Sequence, residues 1–371
     1  MIIMSSILKK IPYVNLKNQW ETEREDLLPI IDKALSSGKY VGGEEVEIFE
    51  ENIAKFCDVK YSVALNSGTD ALMFALMLSG VRKGDEVITP PNSFVASTST
   101  ILHVGAKPVF VDVLPDQNID PSKIEEAITK KTKAIMPVHL TGRMCDMDPI
   151  MEIAERHNLI VIEDAAQAFG SKYKGKSSGS IGDIGCFSTH PLKNLNACGD
   201  GGFVTTNNEK IYNQLKILRN QGMSDRNIVK NFGTVSRMDT LQAAILNYRF
   251  GKIEYVTNKR RLNAKTYFEG INQEKVFIPK EQTYEYNTYH TFVLQTSYRD
   301  ELKDFLLSNG IGSAIHYPIP IHLQLASKKL GYKIGDFPIT EKQSKQILTL
   351  PINQSLSRGD LERVISQINH F

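Results

Sequence analysis

The sequence has few of the features that mark secreted, metal-binding or nucleic-acid-binding proteins. It contains only 4 cysteines among 371 residues, and its formal net charge is +2. The cysteines lie far apart and show no paired spacing of metal ligands, so we interpret them as reduced thiols and expect no metal site. A nearly neutral charge without a basic block argues against nucleic acid as a partner.

The sequence also lacks a long apolar run. The longest one, residues 71–78, falls well short of the roughly 20 residues that a membrane-spanning helix needs. The apolar start of the chain, residues 1–8, follows no basic residue and precedes no small-residue cleavage site, so it does not resemble a secretion signal. These absences predict a cytoplasmic protein without a membrane partner.

Between residues 61 and 206, short β-rich runs alternate with helical patterns. This alternation is typical of strands joined by crossover helices. We therefore predict an α/β fold with a mainly parallel seven-stranded sheet, whose ligands bind at the carboxyl edge. The predicted strands are residues 62–65, 86–89, 107–112, 134–138, 159–163, 184–187 and 202–206.

The chain is long enough for more than one hydrophobic core. A helical pattern over residues 241–256 is predicted to lead out of a large domain, residues 1–250, into a smaller C-terminal α/β domain, residues 251–371. The first fifty residues are expected to pack against both. Within the smaller domain the patterns predict strands at residues 289–295 and 312–317, and helices at residues 300–308 and 360–370.

A turn of Ser67, Gly68 and Thr69 follows the first predicted strand and opens into an apolar helix. The free backbone N–H groups of a helix start, the helix dipole and the Thr69 hydroxyl suit a phosphate monoester. The same turn also fits a simple N-cap, which is the commoner role of such residues. Phosphate binding is therefore one of two interpretations of this motif.

Two further residues suggest chemistry at the same sheet edge. Asp164 ends the fifth predicted strand, where a carboxylate could hold the proton of a pyridinium ring and needs a low pKa to do so; alternatively, it caps the next helix. Lys193 lies in a loop after the sixth strand, before the glycine-rich residues 199–202. A lysine shielded from water has a lowered pKa and can form an imine, although most lysines are solvated surface residues.

In this order along one parallel sheet, the motifs resemble those of the DegT/DnrJ/EryC1/StrS sugar aminotransferases, a branch of the fold-type I pyridoxal-phosphate enzymes. The likeness covers nearly the whole chain and is strongest for members that aminate C3 of nucleotide sugars. The matching motifs are residues 11–13, the turn at 67–69, residues 163–167, residues 188–193 and residues 237–244.

The resemblance implies pyridoxal phosphate (PLP) as the cofactor. By position, Lys193 would hold it as a Schiff base and act as the catalytic base, and Asp164 would pair with the ring nitrogen. The other implied contacts are Ser67, Gly68, Thr69 and Ser188 to the phosphate, Gln167 to the ring hydroxyl, and Phe94 stacked on the ring. A buried phenylalanine after a strand is also commonly a core residue.

Three positions bear on how far the likeness extends. Val235 stands where the family usually has an asparagine that reaches the phosphate of the neighbouring subunit, and a valine cannot donate that hydrogen bond. Lys193 is retained where related sugar dehydratases have histidine, which favours transamination. His190 lies where the family tolerates His or Tyr, so we interpret it as a loop residue.

The resemblance also suggests the substrate side. Residues 312–322 are similar to the substrate loop of the members that aminate C3, which makes His316, Tyr317 and His322 candidate substrate contacts. The Ser236-Arg237 pair also resembles that group, which makes Arg237 a further candidate. The alternative is that the two prolines of this stretch merely stiffen a loop whose histidines are exposed.

The implied reaction moves an amino group from glutamate to a nucleotide-linked keto sugar, at C3 of a 3-keto-6-deoxyhexose, in a homodimer. Amination at C4 remains an alternative, as does a sugar-sensing regulator without turnover. A nicotinamide dehydrogenase is disfavoured because the first strand-to-helix turn contains no G-x-G-x-x-G.

Overall fold

The computed structural model describes residues 9–371. The apolar segment 1–8, on which the expectation about secretion depends, lies outside them. The described residues form eleven α-helices: α1 (Leu16–Ser36), α2 (Glu44–Phe56), α3 (Gly68–Leu78), α4 (Val95–His103), α5 (Met147–His157), α6 (Glu209–Leu218), α7 (Thr240–Phe250), α8 (Ile253–Gly270), α9 (Arg299–Ser308), α10 (Pro338–Gln346) and α11 (Arg358–His370).

The same residues form fourteen strands, several of them very short. They are β1 (Tyr61–Leu65), β2 (Glu86–Thr89), β3 (Lys107–Phe110), β4 (Thr132–Ile135), β5 (Ile160–Asp164), β6 (Lys172–Tyr173), β7 (Lys176–Ser177), β8 (Ile184–Ser188), β9 (Gly202–Thr206), β10 (Met223–Asp225), β11 (Ile228–Val229), β12 (Glu285–Tyr286), β13 (Phe292–Gln295) and β14 (Ile347–Leu350). Among residues 9–371, no helix is both long and apolar enough to cross a membrane.

All seven strands predicted for the first half of the chain join one seven-stranded sheet, in the order β1-β9-β8-β5-β4-β2-β3. Six of them are parallel to one another, and β9 runs antiparallel between β1 and β8. The predicted α/β class and mainly parallel sheet are therefore confirmed. The carboxyl ends of the six parallel strands meet at one edge, where ligands of such sheets bind.

Helices cover both faces of this sheet, which explains why its strands are continuously apolar. Alternate residues of β1 show the two faces: Val63 and Leu65 belong to one hydrophobic cluster with α3, whereas Ala64 belongs to another with α2 and α7. All three side chains are fully buried. Burial on both faces fixes the register, because a shift by one residue would exchange the faces of every side chain.

A separate hydrophobic core lies in the C-terminal part of the chain. Its members run from Ala264 to Ile368, with Ile11 added from the start of the chain. This separation supports a division into domains near residue 250, and the boundary itself remains a prediction.

Two expectations for the C-terminal half were wrong. Residues 312–317 form no strand and make only an isolated bridge, Ala314 to Thr349, because β14 pairs with β13 and leaves this segment at its edge. The helix expected over residues 241–256 is two helices, since α7 ends at Phe250 and α8 starts at Ile253. The break falls at Gly251, a residue that weakens helices.

The start of the described chain contacts both parts, as expected. Ile11 pairs with Ile311: its N–H donates to the carbonyl of Gly310 at 2.8 Å, and its carbonyl accepts from Gly312 N–H at 2.8 Å. Helix α1 packs on α7, and Glu23 lies 2.8 Å from Arg249. These contacts place Tyr13 beside the sheet edge described next.

Candidate active site

Four parallel strands each deliver polar or aromatic residues to the carboxyl edge of the sheet. Ser67 follows β1, Phe94 follows β2, Asp164 ends β5 and Ser188 ends β8. Because these strands are parallel, side chains that are far apart in sequence lie around one slot. The loop after β8 adds Lys193.

The slot has a helix start at one end. The Ser67 Oγ accepts a hydrogen bond from Asp70 N–H at 3.1 Å and caps α3, so the N-cap interpretation is correct for this residue. A Cβ added to Gly68 would lie 2.7 Å from the Ser188 Cβ, so glycine is what allows Ser188 to lie against the first turn of α3. Thr69 is exposed in that turn. Backbone donors, helix dipole and Ser188 hydroxyl together suit an anion.

Asp164 is buried at the centre of the edge. Its Oδ2 accepts a hydrogen bond from Ser97 Oγ at 2.6 Å, and its Oδ1 accepts from Ala166 N–H at 3.3 Å. Burial nevertheless raises the pKa of Asp164, against the downward pull of these bonds and of the charge on Lys193. By itself the chain therefore does not give Asp164 the low pKa that holding a pyridinium proton needs, because desolvation outweighs the two hydrogen bonds.

The neighbouring Glu163 has a structural role. It is fully buried, and its carboxylate accepts from His139 Nε2 at 2.8 Å and from the N–H groups of Gly179, Ile181 and Gly182 at 2.6–2.8 Å. Burial acts to raise its pKa, but these donors lower it overall. His139 also donates its backbone N–H to the carbonyl of Asp164 at 3.0 Å. Glu163 and His139 thus fix the backbone that presents Asp164.

Lys193 is half-buried in a loop held by its own contacts. Its N–H donates to the carbonyl of His190 at 2.8 Å, and the next residue, Asn194, donates from Nδ2 to the carbonyl of Thr288 at 3.0 Å. Burial lowers the pKa of Lys193 to about 8, and the charge of Asp164 opposes this shift. About a tenth of the amine is then uncharged at pH 7, far more than for a solvated lysine.

Gln167 connects the sheet edge to the C-terminal part of the chain. Its Oε1 accepts from Thr141 N–H at 2.9 Å, and its Nε2 donates to the Tyr317 hydroxyl at 3.4 Å. The ring of Tyr317 lies 6.0 Å from that of Phe94. Phe94 is 54% exposed, so it is not the core residue of the alternative interpretation, and its ring can stack on a flat ligand.

The candidate substrate residues do not all lie together. His316 and Tyr317 lie at the slot, and His316 Nδ1 is 3.0 Å from Thr349 Oγ1. His322 is not brought there: it is 2% exposed and lies between Glu341 at 3.1 Å and the ring of Phe337. The exposed-histidine alternative was therefore wrong for it as well.

Arg237 lies beside the start of α3. It donates to Asn220 Oδ1 at 3.2 Å and lines a hollow with Ser67 and Asp70.

Sequence reasoning missed four residues of this region: Ser97, Tyr13, Arg260 and His290. Ser97 is three residues after Phe94 on the first turn of α4, and a polar residue at that spacing was a usable signal. The other three reach the site through long-range packing. Tyr13 lies in the matched motif of residues 11–13, whereas the local sequence contains no signal for Arg260 or His290.

Comparison with known proteins agrees with this geometry. The model of the DegT/DnrJ/EryC1/StrS aminotransferase family matches residues 21–369. The chain belongs to this family. Both the expected family and the expected enzyme class, an aminotransferase, are thereby confirmed.

Two relatives illustrate its range. A dTDP-3-amino-3,6-dideoxy-alpha-D-galactopyranose transaminase from Aneurinibacillus thermoaerophilus is 40% identical over 97% of this chain and 99% of its own length. A protein named pleiotropic regulatory protein, from Geobacillus stearothermophilus, is also 40% identical, over 97% of this chain and 98% of its own.

Solved structures show the same fold. DesV from S. venezuelae, in complex with a ketimine intermediate, has a TM-score of 0.95 and 37% identity, covering 97% of this chain and 98% of its own. A Bacillus subtilis relative with the bound cofactor PMP, the amino form of PLP, has a TM-score of 0.91 and 34% identity, covering 99% and 86%.

Proposed function

We propose that this protein is a PLP-dependent aminotransferase that moves an amino group from glutamate to a nucleotide-linked keto sugar, at C3 of a 3-keto-6-deoxyhexose. One observation carries the proposal: a half-buried lysine with a pKa of about 8 lies within electrostatic reach of the buried Asp164. The transaminases and cofactor-bound structures among its relatives support the substrate class and the cofactor.

The residues fit PLP at three points. The α3 start with Ser188 suits the phosphate, and the close approach at Gly68 leaves no room there for a larger residue. Asp164 suits a protonated ring nitrogen, because a cation beside it would compensate for its desolvation. Lys193 suits the aldehyde, because its amine gives up its proton more readily than an ordinary lysine.

Each residue then has a defined task. When bound, the cofactor supplies an electron-accepting ring that stabilises negative charge on a carbon that loses its proton. In each half of the exchange, Lys193 would move a proton between the carbon that bears the amino group and the cofactor. Asp164 would hold the protonated ring nitrogen, Gln167 would contact the ring hydroxyl, and Phe94 would stack on the ring.

A homodimer is part of this proposal. The segment from Ile228 to Val235 carries exposed apolar side chains: Ile228 is 52% exposed, Val229 56%, Phe232 99% and Val235 49%. Such a patch favours a protein partner. Val235 has no side-chain hydrogen-bond donor, so it cannot replace the asparagine that the family usually has at this position. A cytoplasmic location likewise stays a prediction.

Two alternatives are tested by one set of measurements. Amination at C4 would use the same cofactor residues, so NMR of the product decides between C3 and C4. A regulator without turnover is favoured by the name of the Geobacillus relative, yet the chain retains Lys193, Asp164 and Ser188.

Purified protein with PLP should transaminate a 3-keto nucleotide sugar with glutamate, and Lys193→Ala should abolish turnover while its circular dichroism stays native.

The exposed Lys210 on α6 provides the matched control, because Lys210→Ala removes a surface amine from a helix that contributes none of the site residues described above. Full activity of Lys193→Ala would refute the mechanism. A wild type that binds PLP and sugar but releases no amino sugar would support the regulator.

A further inference from the structure

A recess opens beside Lys193, on the side facing the C-terminal part of the chain. Tyr13 from the start of the chain, Lys193, Arg260 from α8, His290, His316 and Gln354 all line it. The start of the chain, the Lys193 loop and the C-terminal part thus enclose one space that contains the reactive amine. We call it the Arg260 recess.

Arg260 is buried without a carboxylate partner. Its Nη1 donates to the carbonyls of Tyr289 at 3.0 Å and His290 at 3.1 Å, and its Nε has no partner among residues 9–371. Burial lowers its pKa to about 10, so the guanidinium is still charged at neutral pH. A buried charge without a counter-charge is costly.

Three other arginines are equally buried and show the usual solution. Arg143, Arg249 and Arg299 are 6–8% exposed, as is Arg260 at 8%. Each of these three has a carboxylate oxygen within 4 Å. No described carboxylate lies that close to Arg260, which leaves its charge available to an anion in the recess.

The rest of the wall favours a negative ligand. No aspartate or glutamate is among the described residues that line the recess. Burial lowers the pKa of His290 and His316, and the charge of Lys193 lowers both further, so both histidines are neutral near pH 7. The positive charges of the recess are therefore those of Arg260 and Lys193.

The wall also contains acceptors without a donor. The side-chain oxygens Asn194 Oδ1 and Gln354 Oε1 are buried and unpartnered. A phosphate offers mainly acceptors and would be repelled by these oxygens, whereas an amino acid combines a carboxylate with N–H donors. The mixture of one guanidinium and two buried acceptors matches an amino acid better than a phosphate.

We propose that the Arg260 recess binds a carboxylate of the amino donor, with Arg260 as the residue that selects it. This assignment rests on the proposed function, because it requires a reaction with an amino acid donor. A carboxylate at Arg260 lies in the same recess as the Lys193 amine, which brings the donor to the proton acceptor. Under this assignment a nucleotide sugar without a carboxylate does not need Arg260, so its binding serves as a control.

The test uses the full-length, PLP-loaded protein and glutarate, a dicarboxylate without an amine. Calorimetric titration should show glutarate binding to the wild type and about tenfold to a hundredfold weaker binding to Arg260→Met, as loss of a charge-assisted hydrogen bond predicts. Arg260→Lys should be intermediate, since a point charge replaces a two-pronged donor. The control is Arg261→Gln: the neighbouring arginine pairs with Glu281 at 2.7 Å, so glutarate binding should stay within about twofold.

A stopped-flow measurement of the donor half of the reaction gives a second readout. The glutamate concentration that half-saturates the reaction should be about tenfold to a hundredfold higher for Arg260→Met than for the wild type. Binding of dTDP-glucose, an unreactive nucleotide sugar, should be unchanged. The proposal would be overturned if Arg260→Met bound glutarate as tightly as the wild type. It would also be overturned if this variant lost binding of dTDP-glucose and kept binding of glutarate. If Arg260→Met does not fold, Arg260→Lys decides: native melting with wild-type glutarate affinity overturns the proposal.

The proposed function can fail separately. A wild type that takes no amino group from any amino acid, yet binds glutarate through Arg260, would remove the aminotransferase assignment and leave the carboxylate site in place.

Discussion

The Ser97 hydroxyl donates a 2.6 Å hydrogen bond to Oδ2 of the buried Asp164 carboxylate. Ser97 is itself buried on the first turn of α4, so the bond is shielded from water. It is one of the groups that oppose the upward effect of burial on the pKa of Asp164. Ser97 is therefore a positioning residue whose hydrogen bond favours the charged form of Asp164.

Replacing Ser97 by alanine should lower kcat. Loss of a hydrogen bond to a charged group costs about 1.5–3 kcal/mol, equivalent to a tenfold or greater decrease. Because the bond lowers the pKa of Asp164, its loss raises that pKa, and the acid limb of the pH–rate profile should move to higher pH. Steady-state rates between pH 5 and pH 9 measure both effects.

Ser99→Ala is the matched control for this variant. Ser99 is on the same helix, and its Oγ contacts only the carbonyl of Ala96, at 3.4 Å. An unchanged acid limb in Ser97→Ala would show that the hydrogen bond has no electrostatic role.

The lowered pKa of Lys193 predicts how PLP capture depends on pH. The uncharged amine is the nucleophile, so the capture rate of the apoprotein should rise with pH and level off above about 8. An ordinary lysine would give a rate that still rises toward pH 10. Rapid-mixing absorbance measurements at several pH values would locate the inflection.

Asp164→Asn gives this experiment a directional check. The charge of Asp164 raises the pKa of Lys193, so its removal should move the inflection below that of the wild type. A shift in the opposite direction would mean that the two side chains do not interact as described.

Gly68→Ala should weaken PLP binding without unfolding the protein. The new methyl group would meet the Ser188 Cβ at 2.7 Å, so either the α3 start or the end of β8 must move. Such overpacking costs about 1–3 kcal/mol, and equilibrium dialysis should show PLP affinity lowered by about tenfold. The control, Gly251→Ala, meets only the Tyr248 carbonyl, at 3.4 Å, and should bind PLP normally. Equal PLP affinity of the two variants would show that the cofactor phosphate does not bind at the start of α3.

Phe232→Asp should disrupt the proposed dimer. A charge in the centre of the exposed apolar segment must be desolvated on association, which disfavours the interface. Sedimentation velocity should show a dimer for the wild type and a larger monomer fraction for the variant. Leu325→Asp, at another exposed apolar residue (79% exposed), should leave the dimer intact. A wild type that sediments as a monomer would contradict the prediction.

The sequence predicted the large sheet well because its signals are local. Buried parallel strands such as β5 are short apolar runs bounded by turns, and each prediction fell within a few residues of the observed strand. The turn at Gly68 and the loop of Lys193 were visible for the same reason, since each directly follows its strand.

The C-terminal half was harder because its pairings depend on distant residues. The partner of β13 is β14, more than fifty residues later, and the segment of Ala314 was mistaken for a strand because it is apolar and bounded by glycine and proline. Arg260 looked like one more charge on a basic helix. Only the folded chain shows that it is buried while its neighbour Arg261 is paired at the surface.

The contact between the start of the chain and residues 310–312 has a consequence for biosynthesis. Tyr13 follows the Ile11 pairing directly, its carbonyl accepts from Asn353 Nδ2 at 3.5 Å, and its N–H lies where a Cβ on Gly312 would reach. Nearly the whole polypeptide must therefore leave the ribosome before Tyr13 finds its final neighbours. A nascent chain stalled before that point would contain Lys193 and the finished sheet but would lack one wall of the recess.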